Sequence, residues 1–159
     1  MTENQLRNAM TTYGNTVYRL ALCRLQNIAD AEDVYQDVFL RLFSQTETDW
    51  EGEHLKAWLI RTTLNRCADL YRFRLRRPVL SLEEIADVSG VSEEAYELWE
   101  AVSQLPEKLR TPIHLHYGEG YSTGEIAAMM KIPAATIRTR LHRGREKLKT
   151  LLGGFENGA

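Results

Sequence analysis

Cysteine is scarce in this chain of 159 residues, which holds two, Cys23 and Cys67. They share no C-x-x-C spacing, so neither a thiolate zinc site nor a disulfide framework is indicated. His114 and His116 stand two apart. On a helix they point to different sides and make a poor metal pair. Long apolar runs are missing as well. No stretch is long enough to span a bilayer, and no secretory signal opens the chain. A soluble protein of a reducing cytoplasm is the expectation. Gly118-Glu119-Gly120 has no strand before it and no lysine of a phosphate loop after it, so it reads as a turn. No nucleophile–base pair, metal spacing or phosphate loop supports an enzyme. No catalytic residue, metal ligand or cofactor site is expected, and no repeat or low-complexity tract is present.

A large charge of one sign is also absent, since formal net charge is −2. That excludes a generic polyanion binder, but the charges are segregated. Lys56–Arg77 carries seven basic residues and one acidic, and Arg138–Lys149 carries six and one. Met1–His54 carries nine acidic residues against four basic, and Pro78–Glu100 carries seven acidic and no basic. Two positive sites stand between acidic surfaces.

The stretch Gly120–Lys149 has the clearest organisation: GYSTGEIAAMMKIPAATIRTRLHRGREKLK. Ser122 and Glu125 hold the first and fourth positions of a capping box, and Tyr121 and Ile126 have the spacing of a hydrophobic staple. Pro133 is unwelcome inside a helix and favoured at its start. These signals put a break near Lys131–Ile132 and a new helix from about Ala134. In that second helix Ile137, Leu141, Gly144 and Leu148 fall on one stripe. Thr136, Thr139, His142, Arg143 and Glu146 lie opposite, with Arg138, Arg140, Arg145 and Lys147 on the flanks. A short capped helix, a tight turn and a basic second helix form the helix-turn-helix pattern, whose second helix enters the major groove. The candidate DNA contacts are Thr136, Arg138, Thr139, Arg140, His142, Arg143 and Lys147. An ordinary helical pair with a solvated basic face is the plainer reading.

Upstream the chain reads as helices throughout. Leu6, Met10, Tyr13, Val17 and Leu20 give a core-facing stripe, ended by Asn27. Asp30 is the expected cap of a second helix to about Ser44. Its inner arc is Ala31, Val34, Tyr35, Val38, Phe39 and Leu42, and its outer arc holds Asp33, Gln36, Asp37 and Leu40, with Phe43 at the edge. A leucine among outward carboxylates marks either a partner surface or one of the lone exposed leucines that are common on proteins. Gln45–Glu53 reads as a loop in which Trp50 is either tucked onto the core or offered to an unstacked base.

Leu55–Arg76 reads as a third helix. Leu59, Ile60, Thr63, Leu64, Cys67, Leu70 and Tyr71 face inward. Opposite lies the stripe Trp58, Arg61, Asn65, Asp69, Arg72 and Arg76. Asn and Arg contact bases and phosphates, whereas a salt-bridged solvent face is the bland alternative. Pro78 closes the helix. The acidic stretch after it has scattered apolar residues and reads as an interdomain linker. Ser92 opens a further helix with Ala95, Leu98, Trp99 and Val102 inward. Pro106 starts another, to about Tyr117, which Pro112 should bend.

Three blocks together resemble extracytoplasmic-function sigma factors of bacterial RNA polymerase, in the sigma-70 family: Asp30–Phe43 (DAEDVYQDVFLRLF), His54–Arg72 (HLKAWLIRTTLNRCADLYR) and Leu105–Leu148. They stand in that family's order and spacing. The resemblance implies an all-α protein of two small helical domains. Residues 1–77 would form the N-terminal sigma domain, 78–92 a flexible acidic linker, and 93–152 a C-terminal helix-turn-helix domain. The resemblance further implies that Asp33, Gln36, Asp37 and Leu40 meet the polymerase clamp. It places Trp50, Arg61, Asn65, Asp69, Arg72 and Arg76 on the downstream promoter element, which they help to melt. The C-terminal domain would bind the polymerase flap and set Ala134–Lys149 in the major groove of the upstream element. The implied partners are core RNA polymerase, promoter DNA and an anti-sigma protein, with no cofactor. Ala135 departs from the glycine that many members carry there. An autonomous helix-turn-helix regulator binding a palindrome as a dimer is the rival reading.

Overall fold

The computed structural model describes residues 1–45, 51–73 and 93–156. Trp50, Arg76 and the whole 78–92 segment therefore lie outside the described residues, as does Ser92. The described residues form seven α-helices and one π-helical turn, without a strand among them. The chain divides into two compact units, Met1–Leu80 and Ser81–Ala159. No helix among the described residues is long and apolar enough to cross a membrane.

The first unit holds α1 (Glu3–Leu25), α2 (Ile28–Phe43) and α3 (Gly52–Phe73). Helix α1 begins at a capping box that its periodicity did not advertise. Thr2 Oγ1 accepts from the Gln5 amide, and Gln5 Oε1 accepts from the Thr2 amide. It ends at Gln26 in the left-handed region, φ 51°, with the amide of Gln26 donating to the Leu22 carbonyl. Asn27, expected to end this helix, instead caps the next one. Its side-chain oxygen accepts from the Asp30 amide at 3.0 Å. Asp30 is thus not the cap but the buried third residue of α2. A left-handed residue reverses the chain at Gln26, which leaves Asn27 extended and first in line for the orphan amides.

The core of this unit follows the two predicted arcs. Ala31, Val34, Val38, Phe39 and Leu42 of α2 pack with Val17, Leu20 and Leu25 of α1 and with Leu59, Ile60 and Cys67 of α3, all buried. Thr63 is buried among them, and its hydroxyl donates to the Leu59 carbonyl at 2.7 Å, which removes the penalty of an unpaired polar group. Burial pushes the Cys67 thiol up to about 12. Tyr71 is half-buried; its hydroxyl donates to the Arg24 carbonyl at 2.7 Å, and the Arg24 guanidinium lies over its ring. These contacts fix α3 against α1.

The second unit holds α4 (Glu93–Ser103), α5 (Glu107–Ile113), the π turn His114–Gly118, α6 (Thr123–Met130) and α7 (Ala134–Glu156). Ala101 and Val102 of α4 are buried, but Leu98, expected inward, is 47% exposed. Pro112 has no amide to donate to the Lys108 carbonyl. The helix does not simply bend there. Two residues on it widens into the π turn, closed by the Glu119 amide on the His114 carbonyl at 3.2 Å. Leu105, Ile113, Leu115, Ile126, Ile137 and Leu141 form the core of the unit.

Candidate nucleic-acid interface

Helix α6 is positioned by its first turn. The Ser122 amide donates to Glu125 Oε1 at 2.9 Å, and Ser122 Oγ accepts from the Glu125 amide at 3.2 Å. The backbone hydrogen bond from Ser122 foremost, then the one with its side chain, holds the Glu125 carboxyl below its ordinary range. Tyr121 and Ile126, flanking the cap, are both buried. At the other end Lys131 takes a left-handed conformation, φ 57°, and the Ile132 amide donates to the Ala127 carbonyl at 3.1 Å. Pro133 then offers its carbonyl to the amides of Thr136 and Ile137. Three residues, Lys131–Pro133, thus turn the chain from α6 into α7.

The buried stripe of α7 is Ile137, Leu141, Gly144 and Leu148. Gly144 sits where α7 crosses α5. A Cβ there would stand 2.6 Å from Ile113 Cγ1, a distance that no side chain tolerates. The stripe sets the rotation of everything else on the helix. Arg138, Thr139, His142, Arg143 and Lys147 are exposed, and Thr136 and Arg140 are half-exposed at the flanks. The Thr139 hydroxyl donates to the Ala135 carbonyl at 3.1 Å, so its methyl and remaining lone pair are left for the helix to present outward. None of the ion pairs found among the described residues involves Arg138, Arg140, Arg143 or Lys147. Their charge is left for an external anion. Arg145 differs, reaching the Tyr117 hydroxyl at 3.4 Å.

In the first unit, Arg61 is half-exposed, Asn65 and Arg72 are exposed, and Asp69 is half-exposed. They share the outward side of α3, but the stripe is partly salt-bridged. Asp69 pairs with Arg66 at 3.0 Å and with Arg72 at 3.8 Å. On α2, Asp33 and Gln36 are exposed and Leu40 is 67% exposed, with Phe43 exposed beside it. Asp37 is half-exposed and held by Arg41 from its own helix and by Arg66 from α3. Arg66 belonged to neither the inner nor the outer arc of α3 and was not singled out by periodicity. One of its two partners, Asp37, lies on another helix, which a single-helix pattern cannot reveal. No group of three His, Cys, Asp or Glu placed to hold a metal ion occurs among the described residues.

An all-helical chain ending in a helix-turn-helix with an unneutralised basic face belongs, by class, to the DNA-binding proteins. The family description "Sigma-70 region 2" matches residues 9–77, and "Sigma-70, region 4" matches residues 95–148. The chain is 29% identical to the ECF RNA polymerase sigma factor SigW of Bacillus subtilis, over 88% of this chain and 84% of that one. It is 33% identical to the ECF RNA polymerase sigma factor SigE of Mycolicibacterium smegmatis, over 88% of this chain and 58% of that one. Its fold is shared with the sigma factor RpoE of Bartonella quintana, solved with the anti-sigma factor NepR. That match has a TM-score of 0.70 at 23% identity and covers 92% of this chain and 95% of that one. CnrH, solved with the cytosolic domain of CnrY, matches with a TM-score of 0.65 at 25% identity and covers 96% and 90%. The chain belongs to the sigma-70 family, in its extracytoplasmic-function group, whose members direct promoter-specific transcription initiation.

Proposed function

We propose that this sigma factor divides its work between its two units. Residues 1–77 bind core RNA polymerase through Asp33, Gln36, Asp37 and Leu40 of α2. Trp50, Arg61, Asn65, Asp69, Arg72 and Arg76 recognise the downstream promoter element and help to melt it. Residues 78–92 act as a linker. Residues 93–152 place α7 in the major groove of the upstream element, with Thr136, Arg138, Thr139, Arg140, His142, Arg143 and Lys147 at the DNA. Core polymerase supplies the chemistry, so the sigma factor needs no catalytic residue or cofactor of its own. It works in the cytoplasm, where that polymerase is, and an anti-sigma protein holds it inactive, as the complexes of its structural neighbours suggest.

The observation that carries this reading is the opposition on α7 between the buried stripe Ile137–Leu141–Leu148 and an outer face of exposed, unneutralised arginines. Arginine and lysine supply phosphate contacts, and arginine can also fork onto a guanine. The test is run-off transcription with purified core polymerase on genomic fragments, paired with footprinting. Transcripts from defined promoters, and protection seen only when core polymerase is present, are the expected results. Protection of a palindromic site by the chain alone would instead identify an autonomous regulator.

A further inference from the structure

We propose that Arg66 is a positioning residue that ties the downstream-element stripe of α3 to the polymerase-facing side of α2. The proposal rests on the assignment of those two faces to promoter DNA and to polymerase. Four ion pairs form one continuous chain. Arg41 Nε donates to Asp37 Oδ2 at 3.0 Å from one turn along α2. Arg66 Nε approaches the same oxygen from α3 at 2.5 Å, as a charge contact whose N–H is not aligned for a hydrogen bond. Arg66 Nη1 donates to Asp69 Oδ2 at 3.0 Å. Arg72 Nη1 ends the chain, 3.8 Å from Asp69 Oδ1.

Exposure falls toward the centre of this chain. The side chains of Arg41 and Arg72 are 51% and 73% exposed, whereas that of Arg66 is 31% exposed. Solvent screening therefore weakens the outer pairs most and the Arg66 pairs least. Arg66 is also the member that joins two helices. A planar guanidinium has donors on separate edges in a fixed fork, which suits holding two carboxylates at once.

The consequence falls on Asp69. A carboxylate beside Arg61, Asn65 and Arg72 repels the DNA backbone unless its charge is compensated. Arg66 compensates it and fixes Oδ2, so that Oδ1, only loosely approached by Arg72, is the oxygen left to accept from the amino group of an exposed base. Asp37 and Asp69 share one cation. Whatever polymerase does to Asp37 is therefore transmitted to the base-reading side of α3.

The test uses holoenzyme assembled from the full chain with core polymerase in excess, so that assembly does not limit the readout. Open-complex formation is measured on the cognate promoter and on single-base variants of its downstream element, at several salt concentrations. Arg66→Gln should lower opening of the cognate promoter by about tenfold and flatten the preference at one downstream position. Asp69→Asn should flatten the same position, and the double variant should add little to either alone. Arg66→Lys restores the charge without the fork and should recover the preference only in part. A loss equal on every promoter, with a smaller salt slope, would make Arg66 a plain phosphate contact and overturn the proposal. If Arg66→Gln does not fold by circular dichroism, Arg66→Lys carries the same assay, and an intact preference there overturns it equally. A working holoenzyme with unchanged preference strikes Arg66 alone, whereas a wild-type chain that never initiates strikes the division of labour beneath it as well.

Discussion

Gly144 of α7 and Ile113 of α5 are in such close approach that a single added carbon at Gly144 would overlap the isoleucine side chain. Ile113 is buried, so it must shift within the core to make way. Two effects oppose each other in Gly144→Ala. Helix propensity favours alanine by about 1 kcal/mol. Overpacking costs about 1–3 kcal/mol, and a 2.6 Å contact belongs at the high end. The expected net loss is about 1–2 kcal/mol, or several degrees in the melting temperature of this unit. In an Ile113→Ala background the same substitution should cost less. Thermal unfolding of the four members of this cycle checks the sign.

Promoter reading gives a second expectation. Arg143 lies opposite the buried stripe of α7, and Lys147 lies to one side of it. Arg143→Ala should cost about 1–3 kcal/mol and relax preference at one base pair of the upstream element. Lys147→Ala should weaken all promoters alike and lower the salt slope by about one. Holoenzyme binding to single-base variants at several salt concentrations separates the two. Uniform losses in both variants, with every preference kept, would show that Arg143 reads no base.

Leu40 offers a third. It is 67% exposed on a helix whose apolar face is already filled by Val34, Val38 and Leu42. Leu40→Asp should leave circular dichroism intact and change stability by no more than about 0.5 kcal/mol. It should abolish association with core polymerase in a pull-down or titration. Loss of the fold would mean that Leu40 supports the core.

The capping box of α6 carries a pH signature. Hydrogen bonds from the Ser122 amide, and then with its side chain, lower the Glu125 carboxyl below its ordinary value of 4.5. A lowered carboxyl stabilises the fold above the unfolded value and ceases to do so as pH falls through the folded one. The gap in melting temperature between the wild type and Glu125→Gln should therefore shrink on going from about pH 6 to about pH 3. A gap that does not change with pH would mean that the glutamate's charge adds nothing to the cap.

The features legible in the sequence were the local ones. Ser122, Glu125 and Pro133 announce the start and break of the helix pair because a cap needs only neighbours three residues apart. The arcs of α2 and α3 were legible because burial follows the helical period. Asn27 and Asp30 are both cap-type residues, and choosing between them depends on where α1 reverses, at Gln26, which no local pattern fixes. Pro112 signalled a distortion without saying that the helix would widen into a π turn. Leu98 carried the period of an inward residue but faces solvent. Arg66 was hidden for a different reason, since its role is defined by Asp37 on another helix.

The π turn at His114–Gly118 also bears on how the length of this chain can change. A π turn carries one residue more than the α-turn it replaces, and it absorbs that residue without rotating the helices beyond it. A deletion of one residue here lets the helix relax to its ordinary winding with α6 and α7 still in register. The three-residue turn between α6 and α7 has no such slack, because Lys131, Ile132 and Pro133 each hold a fixed place in it. Length variation among lineages of this protein should therefore collect at His114–Gly118 and spare the turn that aims the DNA-reading helix.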